Sequence, residues 1–168
     1  MSLWRSFSPT ISRISSGMTS DTKADRPRRI MGLDLGSKTV GVAVTDGLGL
    51  TAVSLEIIRR EKENHLRQTY RRIQELISDY DIGLIVLGLP LNLDGTESER
   101  SKVSRSFGKE LAKRTGLEVV LQDERLTTYE ADSIIKETGN HRKNRKDHID
   151  SMAAAIILTD YLDQDRTR

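Results

Sequence analysis

Asp34 closes a short apolar run, Ile30 to Leu33, and a turn centred on Gly36-Ser37-Lys38 separates it from a second run, Val40 to Val44. That pattern reads as strand, tight turn, strand, with one carboxylate where the first strand stops. An Asp beside a Gly often only bonds its own turn backbone. The same position also suits chemistry, and on this segment alone both readings stand. Three further acids fall at element ends: Asp123 and Glu124 after a later strand, and Asp150 in the first turn of the last helix. Ligands of open α/β sheets bind outside the carboxyl ends of parallel strands, so acids recurring there suggest one shared site. Oxygen donors without Cys or paired His favour Mg2+ or Mn2+ over zinc. Singly, each acid has a structural use: Asp123 in a turn, Glu124 paired with Arg125, Asp150 at the positive end of a helix dipole. Four together at element ends are better explained by a cation site.

The elements that must position these acids can be read from periodicity. Arg29 to Leu35, Val40 to Asp46 and Thr51 to Ile58 form an antiparallel meander. Leu66, Tyr70, Ile73, Leu76 and Ile77 recur at helical spacing within a helix of about Lys62 to Tyr80. Gly83 to Leu89 is a continuous apolar run, as in a central strand covered on both faces, and stops at Pro90. A polar loop, a charged helix of about Glu99 to Thr115, and a fifth strand, Leu117 to Gln122, follow. Thr127 or Thr128 caps a short helix to Lys136, with Glu130 as capping-box partner of Thr127. A basic loop, Gly139 to Lys146, leads to a last helix of about Asp147 to Leu162. The fold class is α/β with a five-stranded mixed sheet flanked by helices.

At 168 residues there is room for one domain. The absence of cysteine excludes disulfides and thiolate zinc sites and permits a reducing compartment. No apolar stretch approaches the roughly 20 residues that span a bilayer. A net charge of +2 is mild, so a case for nucleic-acid binding rests on where the charge lies. Residues 1–28 are rich in Ser, Thr and Arg with little apolar periodicity, which predicts a disordered tail ahead of one domain over residues 29–163. An organelle transit peptide is the second reading, and a start at Met18 or Met31 the third.

The segments DLGSKTVGVAVTD (34 to 46), VLGLPLNLDGTES (86 to 98), DERLTTYEA (123 to 131) and KDHIDSMAAAIILTDYL (146 to 162) together resemble the YqgF/RuvX family of ribonuclease H-like, Holliday-junction-resolvase-like proteins. The resemblance spans Arg29 to Leu162 and implies a ribonuclease H-like fold and a cytoplasmic bacterial protein. The implied activity is a metal-dependent nuclease in 5′-end maturation of the 16S ribosomal RNA precursor. Residue by residue, Asp34 matches the family's first-strand acid, Glu124 with Asp123 its DER motif, and Asp150 the acid of its final helix. Asp34, Glu124 and Asp150 would be the metal ligands and Asp123 a further catalytic acid. Two cations about 4 Å apart can activate a water and stabilise the leaving 3′ oxygen, with no protein nucleophile.

Substrate contacts are expected from Lys38 on the turn, from Asn92 and Asp94 in the loop after the fourth strand, and from Arg125, Arg142, Lys143, Arg145 and Lys146. A charge run is usually a solvated face, but beside a phosphate-cleaving site it is better placed to hold a nucleic-acid backbone. Asn92 and Asp94 also have a plain use as self-bonding turn residues. Aromatic stacking platforms are scarce, which favours a partner recognised by shape: structured RNA or branched DNA. A Holliday junction resolvase shares this chemistry, and a non-catalytic nucleic-acid-binding module is the remaining alternative. A two-lobed kinase-like ATPase also starts with Asp-x-Gly, but needs roughly twice this length.

Overall fold

The computed structural model describes residues 12–14, 28–124 and 145–167, with side chains described for 28–124 and 152–167. The predicted helix near 127–136 lies outside the described residues. One mixed sheet runs through the molecule in the order β1-β6-β5-β2-β3-β4, built from β1 (Ser12–Ile14), β2 (Arg29–Leu35), β3 (Thr39–Thr45), β4 (Ala52–Arg59), β5 (Ile82–Leu89) and β6 (Glu118–Asp123). β2, β3 and β4 form the antiparallel meander, and β5 and β6 join β2 in parallel. The five long strands are those the sequence predicts. The sixth, β1, pairs antiparallel with β6 and comes from within the segment expected to be a tail. Three residues carry no readable period, and β6 would otherwise present an unpaired edge.

α1 (Leu66–Tyr80) and α2 (Glu99–Thr115) cover one face, where Tyr70, Ile73, Leu76, Phe107 and Leu111 pack on Met31, Leu33, Leu35 and Leu87. α1 starts four residues later than its periodicity predicts. The carbonyl oxygens that would open it are engaged elsewhere: His65 N–H bonds Lys62 O, and the Arg60 guanidinium takes Glu63 O. α2 has the predicted bounds, because Ser98 and Ser101 form a reciprocal capping box and Gly116 at φ 71° ends the helix.

α3 (Arg145–Arg166) covers the other face through Ala154, Ile157, Leu158, Tyr161 and Leu162. It begins two residues before the predicted helix, so Arg145 and Lys146 belong to its first turn and not to the preceding loop. A Cβ on Gly32 would stand 2.8 Å from both Ala154 O and Leu158 Cβ, so this glycine lets α3 settle against the sheet. Arg166 at the far end of α3 bonds Leu50 O, beyond the start of β2. The first turns of α3, with the backbone of Asp150, therefore lie toward the opposite edge, where β2, β5 and β6 end.

Candidate active site

Side chains alternate across a strand. Leu33 and Leu35 enter the core under α1 and α2, while Gly32 faces α3. Asp34 therefore shares the α3 face with Gly32 and is half-buried there. On β6 the same alternation places Val120, Gln122 and Glu124 toward α3, with Val119 and Leu121 in the other core. The parallel register sets Gly88 beside Gln122 and Leu89 beside Asp123, and Glu124 N–H closes the strand end on Leu89 O at 3.2 Å. A Cβ on Gly88 would stand 1.6 Å from Glu124 Oε1, so the Glu124 carboxylate occupies the space that this glycine leaves open.

Glu124 and Asp34 are in hydrogen-bond contact. Burial, then the Asp34 charge, push the Glu124 carboxyl up to about 8; Arg100 opposes the shift, and the hydrogen bond to Asp34 and the Asp123 charge add to it. Two carboxylates this close cannot both ionise cheaply without a cation between them. Gln122, 2% exposed, is one residue from Asp123, and its Oε1 has no hydrogen-bond partner among the described residues. Close carboxylates, an uncompensated amide oxygen and an all-oxygen donor set fit a hard divalent cation. Among the described residues no three acids, His or Cys gather round one point. The side chain of Asp150, the expected third ligand, lies outside them.

The remaining predicted residues divide. Lys38 is exposed on the β2–β3 turn beyond Asp34. Asn92 and Asp94 are engaged within their own loop: Asn92 Nδ2 donates to Thr96 Oγ1 at 2.9 Å, and Asp94 Oδ1 accepts from Thr96 N at 2.9 Å and Thr96 Oγ1 at 2.6 Å. Those bonds are the turn-forming use of the two residues. Arg125, Arg142 and Lys143 lie outside the described residues, as do the side chains of Arg145 and Lys146. Three residues near the site were not singled out from the sequence. Gln122 carried a signal, a polar residue closing an apolar strand on the face of Glu124. Arg60 and Arg100 carried none, since both sit among other charged residues. A groove of about 390 Å³ separates the β2–β3 turn from Arg100, Val103 and Ser104 of α2.

The family model RuvX, described as Holliday junction resolvase, matches residues 28–164. A protein of Agathobacter rectalis, provisionally named pre-16S rRNA nuclease, is 55% identical over 135 residues, which is 80% of this chain and 94% of the relative. One of Lachnospira eligens with the same provisional name is 53% identical over 135 residues, 80% and 96% respectively. Among solved structures, Thermus thermophilus RuvC in complex with Holliday junction substrate superposes with a TM-score of 0.54 at 14% identity, covering 84% of this chain and 97% of that one. The shared architecture is ribonuclease H-like.

Proposed function

The chain belongs to the RuvX family, and from that premise we propose that it is a divalent-metal-dependent nuclease that hydrolyses phosphodiester bonds in the 5′-end maturation of the 16S ribosomal RNA precursor. The observation that carries the reading is the contact between Asp34 and Glu124, made across the intervening β5 from the ends of β2 and β6. Asp34, Glu124 and Asp150 would hold the cation, with Asp123 beside them. When bound, Mg2+ or Mn2+ supplies positive charge at the scissile phosphate and lowers the pKa of a ligated water. The protein's part is to keep two acids in contact that water would separate, and to release the proton that Glu124 otherwise retains up to about pH 8. The backbone of the strand being cut would be held by Lys38, Arg125, Arg142, Lys143, Arg145 and Lys146, which orient it without reading sequence.

The name of the family model favours a second reading, in which the substrate is a four-way DNA junction. A side-by-side assay with Mg2+ and with Mn2+ separates them, offering ribosomal precursor RNA, unstructured single-stranded RNA and a four-way DNA junction. Cleavage near the 5′ end of the 16S sequence supports the first reading. Symmetric cleavage of the junction alone replaces it with the second, and binding without cleavage of any substrate would make the domain a non-catalytic module.

A further inference from the structure

Four consecutive backbone carbonyls at the turn after Asp34 converge on one arginine. Arg60, only 8% exposed, donates from Nη2 to Gly36 O and to Ser37 O at 3.0 Å, and from Nη1 to Thr39 O at 3.4 Å. Its Nε donates to Glu63 O at 3.2 Å, and its backbone N–H to Lys38 O at 2.9 Å. The hydrogen-bond partners are peptide dipoles, and the Glu63 charge adds only an electrostatic attraction. Burying a guanidinium against neutral acceptors is costly, so its use must lie in the shape and charge it gives the turn.

No peptide bond among the described residues is cis. In a trans peptide the N–H points opposite to the preceding C=O. Carbonyls of Gly36 and Ser37 drawn toward Arg60 therefore turn the N–H groups of Ser37 and Lys38 away from it. Neither N–H is hydrogen-bonded among the described residues, and both residues are exposed. Arg60 reaches the turn from the side of Tyr70 and α1, whereas Asp34 faces α3. The two free amides are thus turned toward the side that carries the carboxylates. Successive outward N–H groups form an anion-binding concavity. Tying back the carbonyls also removes the partial negative charge that would repel an anion.

We propose that the Gly36-Ser37-Lys38 turn is a subsite for a backbone phosphate of the nucleic-acid strand, formed by the N–H groups of Ser37 and Lys38 with the Ser37 hydroxyl and the Lys38 ammonium, and shaped from beneath by Arg60. The subsite rests on the nuclease reading and specifies where the strand is anchored next to the scissile bond. Arg60 is a positioning residue: it touches the turn, not the substrate.

The test is an amide-resolved NMR titration of the full chain, free of metal, with inorganic phosphate and then with a dinucleotide containing one phosphodiester. The amide protons of Ser37 and Lys38 are expected to move downfield and saturate with both ligands. In Arg60→Lys, which keeps the charge but not the five-donor fork, affinity for both is expected to fall about tenfold while the strand amides keep their positions. Should Arg60→Lys fail to fold, the wild-type shifts decide alone. Ser37 and Lys38 amides that stay fixed while other amides respond overturn the subsite, as does an Arg60→Lys protein that binds both ligands as tightly as the parent. Cleavage is measured separately. A chain that cuts nucleic acid but whose turn ignores phosphate loses the subsite and keeps the nuclease reading. One whose turn binds phosphate but which cuts no nucleic acid loses the nuclease reading and keeps the phosphate subsite.

Discussion

Glu124 is held where its charge is least welcome, in partial burial against Asp34, and its carboxyl is raised to about 8 from an ordinary 4.5. Because the folded-state pKa lies above the unfolded one, the folded protein retains a proton that the unfolded chain has lost between those values. Stability contributed by that proton is therefore complete below about pH 4.5 and is lost as pH rises through about 8. Glu124→Gln keeps the shape without the charge. Without metal, it should match the parent's melting temperature near pH 4.5 and exceed it by about 5 °C at roughly pH 8.5, an effect on the order of 2 kcal/mol. Mg2+ should shrink that gap by stabilising the parent, and a thermal-shift series over pH with and without Mg2+ checks both. A gap that is independent of pH would mean the two carboxylates do not share a site. Asp34 and Glu124 could be picked from the chain because acids at strand ends are readable. Arg60 could not, since its role depends on which carbonyls fold back onto it, and that is a property of the turn's geometry.

Close packing sets the site between elements. Gly88 leaves room on β5 for the Glu124 carboxylate, and Gly32 lets α3 approach β2. Gly88→Ala would put a methyl 1.6 Å from Glu124 Oε1 and should displace that side chain, abolishing cleavage and the Mg2+-dependent rise in melting temperature. Gly32→Ala meets backbone as well as side chain at 2.8 Å and should push α3 off the sheet, costing about 1–3 kcal/mol with activity falling in step. Melting curves with and without Mg2+, run beside a cleavage assay, distinguish the two; a fully active Gly88→Ala would contradict the placement of Glu124. The elements were legible where a local device fixes them, as Ser98 and Gly116 fix α2. They were less so where tertiary bonds decide, as at the late start of α1, or where a helix runs on into a charged segment, as at Arg145 and Lys146.

The order of elements along the chain, a meander followed by strands alternating with helices, was enough to predict a mixed α/β sheet, because hairpins pair antiparallel and helical crossovers return strands in parallel. The strand at Ser12–Ile14 was not legible, for it exists only as a partner to the edge of β6. Among the described residues no helix is long and apolar enough to cross a membrane. What the arrangement accomplishes as a unit is to bring acids 90 residues apart in sequence, Asp34 and Glu124, into contact at one edge. Cleavage of ribosomal precursor RNA by wild type and by Asp34→Asn, with Mg2+ and with chelator, tests that unit most directly. A site shared by the two acids implies cutting by wild type only when Mg2+ is present, and none by Asp34→Asn even though it still binds the RNA. Cutting by Asp34→Asn at the wild-type rate, or by wild type in excess chelator, would contradict it.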